Sequence, residues 1–317
     1  MSTSATGRRA YRAPRPLAAG NARITRARDR ARSLRALAFL APALLVLLVF
    51  VLIPALEALR LSFTDASGFG TPGFVGLDNY LRVLESPASR RAILNTLAYA
   101  VMYGPAVIVA GLASALLLNR KDIPFRTFFR TIIFLPFVIS MAVASIAWNF
   151  LLDPDLGLVS RWLGSIGIHL GDVFASAWAL PVVTAIAVWK NFGYFMVIFL
   201  AGLQGIPAYL YEAATLDGAG PWRKLLAVTI PGLRSTMTFV VIFALVGAFQ
   251  AFDQIYILTQ GGPDHATETI VYRIYTDGFR DFEMGYASAF SYVLLAITLV
   301  LGLVQLRINA LQEKDLV

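Results

Sequence analysis

Long uncharged apolar runs, separated by short polar segments, fill most of this chain. A helix that crosses a bilayer needs roughly 20 mostly apolar residues. Six stretches meet that requirement, at about 37–56, 93–118, 131–152, 178–203, 237–258 and 286–306. Five of them lack a charge or hold it near one end; the fourth carries Lys190 close to its middle. Backbone in hydrocarbon must satisfy its own hydrogen bonds, so these runs predict helices. The ten-residue alternation of a membrane barrel is not seen. The pattern predicts an all-α membrane protein of about six transmembrane helices.

Charge adds direction. Ten arginines lie between Arg8 and Arg35, ahead of the first run. Arg120, Lys121, Arg126 and Arg130 separate the second and third runs, and Arg223, Lys224 and Arg234 separate the fourth and fifth. The remaining connections carry most of the carboxylates, among them Asp65, Asp78, Asp153, Asp155, Asp264 and Glu268. The positive-inside rule then places both termini in the cytoplasm of a multi-pass protein of the cytoplasmic membrane. The expected layout is a basic cytoplasmic arm at 1–35, a membrane domain at 36–309 and a short tail at 310–317. The arm reads either as a contact for anionic lipid that fixes topology or as a tail with no further role. A cleaved signal peptide is not expected, because both the basic region and the following run are too long.

Composition changes the picture in one respect. A net charge of +8 on its own points to nucleic acid, but 58% of the 317 residues are hydrophobic and only 15% are charged, and the excess of base sits in the arm and the inner loops. Lipid, not nucleic acid, is the expected partner. The chain has no cysteine and two histidines, His169 and His265, so neither disulfides nor a metal site is expected. No metal-ligand cluster, no Ser–His–Asp arrangement and no paired carboxylates on a span are found, which argues against an enzyme, and without a G-x-x-x-x-G-K-[ST] phosphate loop any ATP must be hydrolysed elsewhere.

Sugars present hydroxyl edges and apolar faces, so a pocket for them needs aromatic plates beside hydrogen-bonding groups. As a continuous helix, the fifth run would place Gln250, Asp253 and Gln254 on one face and Phe249, Phe252 and Tyr256 on the next. Trp148, Asn149, Trp189, Lys190, Asn191 and Tyr194 supply further candidates from the third and fourth runs. Asp253 and the aromatics read equally as anchors at the headgroup level. Lys190 is costly near the membrane centre unless solvated or paired; it would contact substrate or brace helix carbonyls. Its pairing with Asp253 is not expected, since Asp253 sits near the outer end of its run. The turn signals at 150–157 and 259–264, with Gly261-Gly262-Pro263, predict ordered outer loops.

The long inner loop predicts two helices. Pro207 opens the first and Gly218 closes it in the left-handed conformation, giving about ten residues or roughly 15 Å. Pro221 starts the second, and Pro231 bends the chain toward the fifth run. Ala213 and Ala214 keep the first helix slim beside the bulk of Tyr209, Leu210 and Tyr211. Such a helix suits a groove on another protein, or lies on the bilayer surface.

Glu212-Ala213-Ala214, then Asp217-Gly218, nine residues, and Val228-Thr229-Ile230-Pro231 resemble the EAA loop of ABC importer permeases. Val228 and Ile230 stand where that motif usually has Ile and Leu before the proline. Ala219, Trp222 and Leu233, with Gln204-Gly205-Ile206-Pro207, Phe249-Gln250-Ala251-Phe252-Asp253 and Thr259-Gln260-Gly261-Gly262-Pro263, are similar to the carbohydrate-uptake branch. The resemblance covers nearly the whole chain from residue 37.

It implies the importer-type permease fold and an assembly: a second permease subunit, two copies of a cytoplasmic ATPase and an extracytoplasmic sugar-binding protein. It implies that ATP and magnesium belong to the ATPase and that this chain binds no cofactor. It assigns Tyr209, Glu212, Ala213, Ala214, Asp217 and Gly218 to coupling with the ATPase. Glu212 would accept backbone N–H bonds that tie the two inner helices together. The implied function is import of an oligosaccharide or related carbohydrate, with glycerol-3-phosphate or an ion-driven secondary transporter as the alternatives.

Overall fold

The computed structural model describes residues 39–314 apart from 69 and 170, with side chains to residue 307. The basic arm expected at 1–35 lies outside the described residues. By internal contacts the chain divides into Met1–Glu57 and Ala58–Val317. Of the first unit the described part is helical, in the apolar helix α1 (Phe39–Leu61) that runs to the boundary and past it.

The second unit is built from helices, and its described residues hold one isolated antiparallel bridge, Thr64 to Phe74. A short helix α2 (Asp78–Glu85) leads into the long α3 (Pro87–Asn119). Ser86 accepts a hydrogen bond from the Ser89 N–H at the start of α3, and Pro87 fills the first position, where its missing N–H costs nothing. The third apolar run forms two helices, α4 (Arg126–Val138) and α5 (Met141–Leu151). A short α6 (Leu158–Ser165) follows, then α7 (Ala179–Gln204). The inner loop holds α8 (Ala208–Leu216) and α9 (Pro221–Lys224), which continues through a π turn at Leu225–Thr229 into Ile230–Gly232. The fifth run is α10 (Arg234–Phe249) plus α11 (Asp253–Leu258); then come α12 (Ile270–Tyr275) and α13 (Met284–Lys314). The tail expected from 310 is thus helical to 314.

Among the described residues five helices are long and apolar enough to cross a membrane, and six if α4 and α5 count as one span. That pair corrects the expectation of one straight third helix: its arms bend by 97°. Pro136 in the last turn of α4 and the Ser140 cap of α5, whose Oγ accepts from the Val143 N–H at 3.3 Å, supply the break. The pair still traverses the bundle. Arg130 donates to the Leu118 carbonyl at the end of α3 at 2.7 Å, whereas α5 packs on α11. The loop after α11 is in turn tied to the start of α3, where Asn95 donates to the carbonyls of His265 and Glu268 and Thr96 accepts from the Ile270 N–H.

The hub is α7, whose apolar window is half buried, the most of any span. It touches α3, α4, α5, α10 and α11. Gly193 is what allows the α4 contact: a Cβ there would sit 2.1 Å from the Ile133 carbonyl oxygen.

Candidate functional site

Two interrupted spans border one cavity. The third breaks at residues 139–140 and the fifth at 250–252, where α10 ends at Phe249 and helix resumes at Asp253. Breaking a helix in a membrane frees carbonyls that need donors. In the fifth span Thr269 Oγ1 donates to the Ala251 carbonyl at 2.9 Å. The cavity beside these breaks has a volume of about 290 Å³.

Its walls combine plates and hydrogen-bonding groups. Tyr99 and Tyr103 stack at 5.6 Å, and Phe137 stacks on Tyr194 at 4.5 Å. Asn191, Gln250, Asp253 and Gln254 form the polar side, Phe252 adds a further ring, and Lys190 lines the cavity at 7% exposure. Gln254 is buried and donates to the Tyr99 hydroxyl at 2.9 Å.

The structure thus brings together seven sequence candidates: Lys190, Asn191, Tyr194, Gln250, Phe252, Asp253 and Gln254. Four stand apart. Trp148 packs edge-on against Trp189 at 5.3 Å, and Asn149 is exposed on the last turn of α5. Phe249 is buried in the helix core, and Tyr256 stacks behind Phe252 at 5.4 Å, outside the cavity lining. For Phe249 and Tyr256 the reason is the break at 250–252, which replaces the continuous helix expected there by two separate helices. Lys190 and Asp253, expected far apart, line the same cavity, although among the described residues no ion pair joins them. Sequence reasoning missed Tyr99, Tyr103, Phe137, Met141, Phe195 and Phe243. Hydroxyls at i and i+4 of a membrane run, Tyr99 and Tyr103, were the available signal.

At the other end of the bundle α8 stands out from the core. Tyr209, Leu210 and Leu216 are exposed on it, and Trp222 on α9. Pro207 caps α8, and Gly218 follows it at φ +71, where it closes the helix through its N–H to the Thr215 carbonyl. The brace expected from Glu212 is not made within this chain: the residue is exposed and its carboxylate has no hydrogen bond among the described residues. Other side chains make the tie. The Tyr211 hydroxyl meets Thr229 Oγ1 at 3.1 Å, and Lys224 Nζ donates to Thr215 Oγ1 at 2.8 Å.

The loop from Thr259 to Thr269 is ordered by its own polar groups. Thr267 Oγ1 donates to the Gly262 carbonyl at 2.6 Å, and Arg91 donates to the Asp264 carbonyl at 3.0 Å. Buried Glu268 meets His265 at 3.1 Å and Arg273 at 3.5 Å, and Arg273 pairs with Asp277 at 2.8 Å. Burial pushes the Asp277 carboxyl up to about 6, against the pull of Arg273. No group of three or more His, Cys, Asp or Glu side chains that could hold a metal ion occurs among the described residues.

Several membrane-crossing helices around a polar cavity at interrupted spans define a membrane transport subunit. The chain belongs to the family described as the binding-protein-dependent transport system inner membrane component, whose profile matches residues 87–317. Members of that family are permease subunits rather than enzymes. The chain is 33% identical over 323 residues to the diacetylchitobiose uptake system permease protein NgcF of Streptomyces coelicolor, covering 98% of this chain and 92% of that protein. It is 34% identical over 272 residues to the sn-glycerol-3-phosphate transport system permease protein UgpA of Escherichia coli, covering 84% and 91%. Among solved structures, a bacterial ABC transporter that imports the acidic polysaccharide alginate contains a chain of the same fold, with a TM-score of 0.80 at 24% identity over 89% of this chain and 97% of that one.

Proposed function

We propose that this chain is one membrane subunit of an ATP-driven importer for a neutral carbohydrate. It pairs with a second permease subunit, receives its substrate from an extracytoplasmic binding protein and is driven by two copies of a separate ATPase, which bind the ATP and magnesium. Its termini and the α8 loop face the cytoplasm, and the loops around Asp155 and Asp264 face outward. The observation that carries the substrate class is the cavity: stacked aromatic rings beside amides, hydroxyls and one exposed carboxylate. That is the lining a polyhydroxylated ring with apolar faces needs. The likeness to a diacetylchitobiose permease supports it.

Glycerol-3-phosphate is the second reading, favoured by the likeness to UgpA. A phosphate calls for arginine. No arginine lines the cavity, and its single exposed charge is the Asp253 carboxylate.

Uptake by the complete transporter in proteoliposomes tests the site. Gln250→Ala removes one neutral hydrogen bond and should weaken the apparent substrate affinity roughly 3- to 10-fold; Asp253→Ala removes a charged one and should weaken it on the order of 10- to 100-fold. Assembly and basal ATP hydrolysis should persist in both. Normal uptake at limiting substrate in both variants would remove the cavity from the transport path.

A further inference from the structure

The break in the third span poses a question that the transport site does not answer. When α4 stops at Val138, its last four carbonyls lose their helical partners inside a membrane-spanning bundle. Backbone oxygens there need a donor, and water is scarce. On the α5 side the Ser140 hydroxyl caps the new helix. On the α4 side the donor comes from another helix. Lys190 of α7 donates from Nζ to the Phe137 carbonyl at 3.4 Å, and its ammonium lies 5.1 Å from the centre of the Phe137 ring. A cation is also the group that the carbonyl end of a helix attracts, and the ring face adds to that attraction.

Three further features place the same contact. Gly193, one turn after Lys190 on α7, lets the α4 backbone approach closely enough for a lysine stem to reach past it. Phe137 is held from its other side by its stack on Tyr194. Lys190 is 7% exposed and lines the cavity beside Phe137, so its ammonium lies where the elbow and the cavity wall meet.

We propose that Lys190 is the brace of the elbow in the third span: it holds α4 and α5 in their bent arrangement and thereby sets one wall of the transport cavity, and it is a positioning residue rather than a ligand of the substrate. This assignment stands whatever the substrate is, because it concerns the shape of this chain.

The elbow can be measured directly in the assembled transporter, since the chain contains no cysteine of its own. Spin labels on cysteines introduced at Phe128 and Phe150, both exposed, report the angle between the arms. At 1.5 Å per residue the pair lies about 23 Å apart across a right-angled elbow and about 33 Å apart along a straight helix. The expected result is the short distance in the otherwise unchanged chain and in Lys190→Arg, which keeps the cation. Lys190→Met, of similar length without a donor, should shift the distribution toward the long distance and lower the maximal rate of uptake. Should Lys190→Met not assemble, Lys190→Gln takes its place: its amide is neutral and one bond shorter, so a partial shift is expected. An unchanged short distance in the assembled Met or Gln variant overturns the proposal, and a loss of apparent substrate affinity alongside it would make Lys190 a substrate ligand.

Discussion

Gly193→Ala is expected to prevent recovery of a transport-competent complex, although it adds a single methyl group. The added carbon would sit 2.1 Å from the Ile133 carbonyl oxygen and 3.0 Å from the Phe134 Cα. Both are backbone atoms, so no side-chain rotation relieves the clash and α4 must move off α7. Overpacking of this kind costs about 1–3 kcal/mol where a core can adjust, and two helix backbones in contact adjust little. The displacement would also pull the Phe137 carbonyl from Lys190 and open the cavity wall. Gly247→Ala is the control: Gly247 lines the same cavity, but a Cβ added there would have no neighbour within 4 Å. Yield and thermal stability of the purified complex should fall sharply for Gly193→Ala and stay unchanged for Gly247→Ala. Equal stability for both would show that the α4–α7 contact is looser than described.

Gly218→Val is expected to abolish coupled transport for a different reason. No atom lies within 4 Å of an added Cβ, so sterics with neighbours are not the issue. The backbone itself is: φ +71 costs a β-branched residue on the order of 1–2 kcal/mol or more. Relief requires α8 to fray from its C-terminal end, where the Gly218 and Ala219 N–H groups close onto the Thr215 and Ala214 carbonyls. Tyr209, Ala213 and Leu216 would then lose their common presentation. Glu212→Ala should behave differently, because its carboxylate has no partner among the described residues of this chain. It should leave the stability of this subunit unchanged and lower only ATP hydrolysis stimulated by substrate-loaded binding protein. Loss of stimulation with basal hydrolysis retained in both variants supports coupling through α8. Normal stimulated hydrolysis and uptake in both would remove α8 from that role.

Much of this architecture is legible in the sequence, and the parts that are not share a cause. Hydropathy reports that a run can lie in lipid, so the spans containing Lys190 and Tyr286 emerge at nearly their observed positions. Local rules place Pro207, Gly218 and Pro221, because capping and left-handed backbone depend on a few adjacent atoms. Hydropathy carries no direction, however, so the uninterrupted apolar run at 131–152 reads as one rod. Pro136 and Ser140 marked its break, and they lack force in a sum over twenty residues. The same blindness hid the break at Gln250 and with it the fate of Phe249 and Tyr256. Tyr99 and Tyr103 escaped because lipid and core are both apolar, which leaves no polar stripe to set the inner face apart. The brace assigned to Glu212 came from resemblance rather than from its surroundings, and the structure gives that tie to Tyr211, Thr215, Lys224 and Thr229.

If the chain works as proposed, α8 lies on the cytoplasmic side and seats on an ATPase. A single cysteine introduced at Ala213, treated in inside-out vesicles with a short bifunctional reagent, probes both points at once. A crosslink is expected from position 213 to the ATPase subunit and none from a cysteine at Asp155. An impermeant thiol reagent added to intact cells should label the cysteine at Asp155 but not the one at Ala213. Labelling of position 213 from outside intact cells, with no crosslink to the ATPase, would contradict the coupling role and the topology together.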